Sequence, residues 1–345
     1  MNHLPSNSWI LSDATLRELL EGFLWRFCEP CRISSLSREP YAYRTSFPLE
    51  EVTVHLDQAP SLHLLCKCTS WESLTESAQR AKPRFLHHPF REAQTYRLLL
   101  ADSNLGTPIY YGSRYDLEQR ACWLFLEKVA GRELYQIGEL DIWCEAARWL
   151  ARFHSWTPLN GELRQLSQDA HLLKMDKVYF QHWLERALGF SLSGGEGAAR
   201  SQGLQRLGGR FDDLLRRVEA LPCCALHGEF YASNILVEQT AAGCRIAPVD
   251  WELAAIGPSL LDLAALVAGK WTLEQRERIV LAYRDALPKG SGWPVAPQEF
   301  TMALDACRLL LDVQWLGWSA EWSPPREHQQ DWLAEALELV DRLDL

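Results

Sequence analysis

The pattern of apolar residues changes near residue 127 of this 345-residue chain, and that change constrains the fold more than any other feature. Before it, short runs rich in apolar residues have the lengths and flanking turn residues that are typical of strands. These strand-like runs lie at 32–36, 51–56, 62–68 and 121–127. Apolar residues at helical spacing predict one helix ahead of the strands, at 16–27, and another at 90–101.

After this change the pattern is mostly helical, and strand-like texture returns only within 223–250. A stretch rich in Gly and Ser at 191–203 predicts a loop. Together these patterns predict an α+β chain, because strands dominate one part and helices the other. The predicted organisation is a small β-rich lobe over 1–127 and a larger, mainly helical lobe over 128–345.

Composition excludes several classes of protein. Hydrophobic residues make up 47% of the chain and charged residues 23%, which is typical of a globular protein and not of a disordered one. The sequence contains no run of about 18 uncharged apolar residues, so no membrane span is expected. The net charge of −10 argues against a protein that binds nucleic acid through phosphate contacts.

The cysteines raise the question of a metal site. The first residues have no basic segment followed by an apolar core, so we expect no cleaved signal peptide and a cytoplasmic protein. The ten cysteines are then expected to be reduced, buried thiols. Cys28-x-x-Cys31 and Cys66-x-Cys68 offer zinc ligation as an alternative, but the second pair has the wrong spacing for it.

The residues with the clearest chemistry lie in the strand-like part of the second lobe. The apolar runs Ile235–Val237 and Ile246–Val249 are separated by a short turn and are expected to pair as a hairpin. That pairing brings Asn234, before one strand, close to Asp250, after the other. An amide oxygen and a carboxylate that converge in this way form a site suited to Mg²⁺. Glu229 precedes Asn234 on the same loop and can face an acceptor group beside the metal.

This segment resembles the catalytic loop of the aminoglycoside phosphotransferase and choline kinase family. The family pattern is His-Gly-Asp, four residues, Asn, and then a strand that ends in Asp-Trp or Asp-Phe. Here the pattern stands as His227-Gly228-Glu229, four residues, Asn234, and then Asp250-Trp251. The resemblance implies a protein-kinase-like fold with two lobes, a small antiparallel-sheet N-lobe and a larger, mainly helical C-lobe.

The resemblance also implies an ATP-dependent kinase that transfers the γ-phosphate to a hydroxyl group of a small molecule. Asn234 and Asp250 are then expected to hold Mg²⁺, and Glu229 to accept the proton of the acceptor hydroxyl. His227 is expected to brace the loop by hydrogen bonds rather than to act as a base. The partners implied are a nucleotide and a small-molecule acceptor. A cationic amine and a sugar-like alcohol both stay open as the acceptor.

In the N-lobe, the order of motifs in the family implies a set of nucleotide-binding residues. Lys67 lies where the phosphate-binding lysine is expected. Glu92 lies where the ion-pair partner of that lysine is expected, and Glu76 is an alternative partner. Glu127 ends the segment Trp123–Glu127, which resembles the hinge that holds adenine.

Two departures from the family pattern favour an alternative hypothesis, a kinase-like protein that binds nucleotide or metabolite without phosphotransfer. The expected catalytic Asp is Glu229, whose extra methylene displaces the carboxylate by roughly 1.5 Å. The predicted phosphate-covering loop at 41–46 lacks glycine, although backbone amides there, with Thr45, Ser46 or Arg44, can still contact phosphate. A protein kinase is a further alternative, but the chain lacks the His-Arg-Asp and Asp-Phe-Gly signatures.

Other polar residues keep two interpretations. Ser259-x-x-Asp262 fits a helix capping box, whereas Asp262 can also brace the catalytic loop. His154, on an amphipathic helix, is interpreted as a packed structural histidine. A stripe of basic residues is either a solvated face or a surface for an anionic ligand. The stripe comprises Arg80, Lys82, Arg84, Arg91 and Arg97.

Aromatic residues cluster near the end of the chain. Trp315, Trp318 and Trp322 lie close in sequence to Glu321. An acid among aromatic rings can bind a cationic amine, because the ring faces are electron-rich. Packing in the core of the helical lobe is the interpretation that we favour over such a site.

Overall fold

The structure is a computed structural model. It describes residues 9–27, 32–41, 46–156, 161–193, 198–241, 243–288, 296–318 and 330–345. The chain forms two compact units, Met1–Gly131 (the first unit) and Arg132–Leu345 (the second unit). The sequence-based division falls a few residues earlier, after residue 127.

The first unit is a five-stranded antiparallel sheet with helices beside it. The sheet order is β1-β2-β3-β5-β4, and every adjacent pair is antiparallel. The strands are β1 (Ile33–Pro40), β2 (Leu49–Leu56), β3 (Leu62–Cys68), β4 (Tyr110–Asp116) and β5 (Ala121–Glu127). The predicted strands at 62–68 and 121–127 occupy these same residues.

Helix α1 (Asp13–Leu24) closes one face of this sheet. Leu16, Leu20 and Leu24 recur every four residues, so they share one helix face, and all three are buried. They belong to one core cluster with Val52 of β2 and other residues of the sheet. The side chain of Ser12 accepts a hydrogen bond from the amide of Thr15 and so caps the first turn.

Two further helices of the first unit follow β3. They are α2 (Glu76–Ala81) and α3 (Arg91–Thr95). A π-helical turn, Tyr96–Leu100, continues α3. The helix predicted at 90–101 is therefore present, with a local widening in its second half.

The second unit consists mainly of helices. They are α4 (Leu140–Trp156), α5 (Gly161–Asp169), α6 (Lys177–Ser193), α7 (Ala198–Glu219), α8 (Leu260–Leu266), α9 (Leu273–Ala286), α10 (Pro297–Leu316) and α11 (Trp332–Arg342). None of the helices among the described residues is long and apolar enough to cross a bilayer.

Two small sheets lie among these helices. One has the order β10-β9-β6 and the other β7-β11-β8. Their strands are β6 (Arg132–Glu133), β7 (Leu173–Lys174), β8 (Cys223–Leu226), β9 (Ile235–Thr240), β10 (Gly243–Pro248) and β11 (Ala255–Pro258). Strands β9 and β10 pair directly, with Ile235 opposite Pro248 and Val237 opposite Ile246. The predicted hairpin is therefore correct.

The loop predicted at 191–203 is wrong over most of its length. Helix α6 extends to Ser193 and α7 begins at Ala198. Leu204, Leu207 and Phe211 are buried along one face of α7. Burial of that face outweighs the helix propensity lost at each glycine, which is about 1 kcal/mol.

Six of the described cysteines are buried free thiols: Cys66, Cys68, Cys122, Cys144, Cys224 and Cys307. Burial raises the pKa of the Cys68 thiol to about 11. Cys223 is exposed, so the expectation of burial is wrong there. Cys28 and Cys31 lie outside the described residues. Within the described residues no group of three or more His, Cys, Asp or Glu could hold a metal ion.

Candidate active site

In the first unit, β3 places Lys67 in the middle of the sheet, opposite Leu124 of β5. Its ammonium nitrogen Nζ lies 2.7 Å from Oε2 of Glu92, on the first turn of α3. The two side chains are 13% and 3% exposed. A carboxylate this buried is costly without a cation, so the pair orients both groups. Glu76, the alternative partner, is exposed on α2.

The other predicted nucleotide-binding residues have different surroundings. The Glu127 carboxylate accepts a hydrogen bond from the amide of Ile109 at 3.0 Å, so its side chain joins the end of β5 to the segment before β4. The Ser46 carbonyl accepts a hydrogen bond from the amide of Thr75 at 3.0 Å. Arg44 lies outside the described residues.

In the second unit, Asp262 of α8 holds the loop that follows β8. Its carboxylate accepts hydrogen bonds from the amide of His227 at 2.7 Å and from the amide of Gly228 at 3.0 Å. Gly228 has φ +86°, and a side chain there would collide with the carbonyl of Leu253. One carboxylate and one glycine therefore fix the start of the loop.

This contact corrects the interpretation of Asp262 as part of a capping box. The side chain of Ser259 makes no capping hydrogen bond at the start of α8. Asp262 is buried and instead faces the loop. His154 of α4 lies 3.3 Å from the same carboxylate through Nε2, and its Nδ1 lies 2.8 Å from the hydroxyl of Tyr283. His154 is therefore a buried structural residue, and it helps to hold Asp262.

His227 uses both ring nitrogens within the loop. Its Nδ1 accepts from the amide of Glu229 at 3.3 Å, which leaves the proton on Nε2 to donate to the carbonyl of Val249 at 2.9 Å. Burial lowers the pKa of His227, so the neutral imidazole is favoured. This arrangement supports a bracing role, because both nitrogens already have partners.

Asn234 and Asp250 lie at the adjoining ends of the β9–β10 hairpin. The amide of Val249 donates to the carbonyl of Asn234 at 2.9 Å, so the next residue, Asp250, begins beside it. Asp250 has a left-handed backbone, with φ 64° and ψ 62°. Such strain in a non-glycine residue occurs often at active sites. The Asn234 Nδ2 donates to the carbonyl of Glu229 at 3.0 Å, which leaves the amide oxygen for another ligand.

The donor set fits Mg²⁺, which prefers carboxylate and amide oxygens to nitrogen or sulfur. Glu229 is half-buried, and its backbone makes three hydrogen bonds. Its amide donates to His227, and its carbonyl accepts from the amide of Tyr231 at 2.7 Å and from Asn234. The loop can therefore position Glu229 through its main chain.

Tyr231, which no sequence motif marks, continues the same loop. Its hydroxyl accepts a hydrogen bond from Nε1 of Trp315 at 2.8 Å. Burial, and then the Glu229 carboxylate, raise the pKa of Tyr231 well above its usual range. The contact joins residues 84 positions apart in the chain, so no local pattern reveals it.

An acid lies next to this aromatic group. Asp312 of α10 is 6% exposed, and its Oδ2 has no hydrogen-bond partner among the described residues. Burial raises the pKa of Asp312 well above its usual range, and its charge in turn raises that of Tyr231. Trp315 stacks on Trp332, with ring centroids 5.5 Å apart. Trp322 and Glu321, the other predicted members, lie outside the described residues.

Comparison with known proteins gives one family. Residues 79–296 match the sequence model of the APH family, described as the phosphotransferase enzyme family. No curated protein matches the sequence.

Several solved structures are similar over nearly the whole chain. An ethanolamine kinase from Plasmodium vivax has a TM-score of 0.58 and 13% identity, over 97% of this chain and 89% of that chain. A microcompartment-associated aminopropanol kinase has a TM-score of 0.55 and 15% identity, over 95% and 94%. The GDP complex of wild-type aminoglycoside 2'-phosphotransferase-IIIa has a TM-score of 0.54 and 15% identity, over 94% and 97%. These similarities confirm the predicted α+β, kinase-like fold.

Proposed function

Because the chain belongs to the phosphotransferase enzyme family, we propose that it is an ATP-dependent kinase that phosphorylates a hydroxyl group of a small molecule. The sequence-based assignment to the aminoglycoside phosphotransferase and choline kinase group is thus confirmed at the level of the family. The observation that carries the proposal is that Asn234, on the loop that Asp262 braces, lies beside Asp250 at the end of the β9–β10 hairpin.

Each candidate residue has a role in this proposal that its surroundings support. Asn234 and Asp250 hold Mg²⁺, which would neutralise charge on the phosphates. Lys67, oriented by Glu92, binds phosphate oxygens. Glu229 accepts the proton of the acceptor hydroxyl while the oxygen of that hydroxyl bonds to the γ-phosphorus. The bond from the γ-phosphorus to the bridging oxygen breaks, and ADP leaves.

The alternative, a protein that binds nucleotide without phosphotransfer, rests on Glu229. A longer side chain than the family's Asp displaces the carboxylate, and a 1 Å misplacement can cost about 10²-fold in rate. Positioning and charge contribute more than the base in a loose transition state, however. The proposal therefore keeps Glu229 as the proton acceptor, and turnover decides between the two functions.

We propose a hydroxyl compound that also carries a cationic amine as the acceptor. The support is the buried Asp312, which lies three residues before Trp315 on α10 and raises the pKa of Tyr231 through its charge. A buried acid near aromatic rings suits an ammonium group, because the cation favours the ionised form of the acid and also gains cation–π contacts with the rings. Two of the similar structures are an ethanolamine kinase and an aminopropanol kinase. A sugar-like alcohol is the alternative acceptor.

The test begins with nucleotide binding. Thermal unfolding of the full chain is measured with millimolar ATP, with and without Mg²⁺. We expect ATP to raise the unfolding temperature in a Mg²⁺-dependent way, and Asp250→Ala to abolish that dependence. Asp212→Ala, an exposed aspartate of α7, is the control. Absence of any shift in the wild-type chain would contradict the proposal.

A screen of acceptors then measures ADP release with amino alcohols, aminoglycosides, sugars and neutral alcohols. We expect turnover with amino alcohols or aminoglycosides and a loss of that preference in Asp312→Asn, which removes the acid but keeps its shape. Turnover with neutral alcohols alone would contradict the amine proposal. ATP binding with no turnover across the screen would favour the binding protein instead.

A further inference from the structure

The basic stripe that follows β3 contains a lysine in an unusual place. Lys82 ends helix α2, and its amide donates to the carbonyl of Ala78 at 2.9 Å. The residue is only 8% exposed, whereas Arg80, two positions earlier, is exposed. A long basic side chain at the surface normally keeps its charged end in water. The side chain of Lys82 instead extends into the first unit, towards buried Phe47.

Lys82 and Lys67 lie beside the same aromatic ring. The Nζ atom of Lys67 is 5.3 Å from the centroid of the Phe47 ring, and the Nζ atom of Lys82 is 5.5 Å from it. Phe47 is itself buried. Both ammonium groups therefore approach the same aromatic ring, Lys67 from strand β3 and Lys82 from the end of helix α2.

The backbone links this place to the predicted phosphate-covering loop. Phe47 directly follows Ser46, the last residue of that loop, and the Ser46 carbonyl accepts from the amide of Thr75. Thr75 is also the N-cap of α2, the helix that Lys82 ends. The end of the loop, the start of α2 and the two lysines therefore belong to one local structure.

The surroundings of this structure are positively charged. Burial, together with the charges of Lys82, Arg91 and Arg84, lowers the pKa of His87 to about 3. The His87 ring lies 6.1 Å from the Phe47 ring. Several positive charges lie around this neutral histidine. They repel one another, so binding of an anion between them is favourable.

We propose that Lys82 is a second phosphate-binding cation, which acts with Lys67 on the polyphosphate of the nucleotide. The inference rests on the proposed kinase function and adds a binding residue that the family pattern at Lys67 does not include. Both ammonium groups lie beside the Phe47 ring, which keeps them near one another, so that they can contact different phosphate oxygens. The ligand class is a nucleoside triphosphate, recognised through its phosphates.

The test compares ATP with adenosine, which lacks the phosphates. Affinities are measured by thermal shift on the full chain, for wild type, Lys82→Met and Arg80→Met. We expect Lys82→Met to weaken ATP binding about tenfold, the usual cost of one charge-assisted hydrogen bond. Adenosine binding is expected to stay unchanged, and Arg80→Met is expected to match the wild type for both ligands.

The outcomes separate this inference from the proposed function. A wild-type chain that ATP does not stabilise would overturn the proposed function. If ATP stabilises the wild-type chain and binds the Lys82→Met variant with equal affinity, only the inference about Lys82 is overturned. An equal loss for ATP and adenosine would also overturn it, because that result indicates a packing role.

A second measurement avoids substitution altogether. Hydrogen exchange of the wild-type chain is followed with inorganic tripolyphosphate as the probe. We expect slower exchange in peptides that cover 75–90 as well as around Lys67, and no change in α9 of the second unit. Protection around Lys67 without protection at 75–90 would contradict a phosphate contact at Lys82.

Discussion

The two units position their candidate site residues by different means. In the first unit, one side-chain contact, the 2.7 Å ion pair with Glu92, orients Lys67. In the second unit, Asp262 accepts hydrogen bonds from the amides of His227 and Gly228, so it holds the main chain of a loop. One unit orients a single charged group, and the other orients a segment on which several groups lie.

This difference predicts how far each substitution acts. Loss of Glu92 disturbs one lysine, whereas loss of Asp262 releases the loop that carries Glu229 and Asn234. A substitution of the Glu229 side chain leaves three backbone hydrogen bonds in place. We therefore expect stability and catalysis to be coupled at Asp262 and separable at Glu229.

The largest effect is expected for Asp262→Ala. The change leaves two buried amides and His154 without their acceptor, so we expect the free energy of unfolding to fall by about 3–5 kcal/mol. Phosphotransfer should be lost as well. Urea unfolding measures the first effect, and Asp141→Ala, an exposed aspartate of α4, is the control. A loss of stability no larger than in the control would refute the bracing role.

Next in size is Glu229→Gln, which keeps the shape of the side chain and removes its capacity to accept a proton. Turnover is expected to fall by about 10²–10⁴-fold, the usual contribution of a general base. The unfolding temperature and the ATP affinity should stay as in the wild type. Glu219→Gln, at the exposed end of α7, is the control for ADP release. Unchanged turnover would show that Glu229 is not the proton acceptor.

A smaller effect is expected for Glu92→Gln. Lys67 keeps its charge but loses its orienting partner, so we expect the KM for ATP to rise by about tenfold, as for the loss of one charge-assisted contact. In the double variant Glu92→Gln/Lys67→Met, the loss of ATP affinity, as a free energy, should be smaller than the sum of the two single losses, because the residues share one contact. Glu76→Gln is the matched control. Additive effects of the two substitutions would argue against a functional pair.

The smallest effect concerns pH and His87, in the cationic part of the first unit. The folded-state pKa of His87 is lowered to about 3, mainly by burial. The unfolded chain therefore binds this proton more readily, and stability is lost as the pH falls below about 6.5. We expect the urea midpoint to fall less between about pH 7 and pH 5 in His87→Phe than in the wild type. His182→Phe, at an exposed histidine of α6, is the control. An equal pH dependence in His87→Phe and the wild type would refute a buried His87 among cations.

Local pattern was sufficient for the hairpin in the second unit. The strands at Ile235–Val237 and Ile246–Val249 are adjacent in sequence and joined by a short turn. A connection of that length allows only antiparallel pairing as a hairpin. That pairing alone brings Asn234 beside Asp250. The same reasoning located β3 and β5, whose residues match the predicted runs.

Local pattern misled where a distant contact outweighed it. Ser259 and Asp262 have the spacing of a capping box, but Asp262 bonds to amides 34 and 35 residues away. The glycines and serines near residue 200 suggested a loop, yet one apolar face there is buried and the chain is helical. In both cases the free energy gained by tertiary contact exceeds the local preference.

By itself, the sequence determined the family, the α+β fold and the order of the polar residues along the catalytic loop, because motif spacing and hydrophobic period are local properties. Only the tertiary structure decided that Glu92 rather than Glu76 pairs with Lys67, that Asp262 and His154 hold the loop, and that Trp315 reaches Tyr231. These contacts join residues far apart in the chain. Which of several possible partners meets a buried charge depends on the packing of whole helices and strands, and no short segment of sequence contains that information.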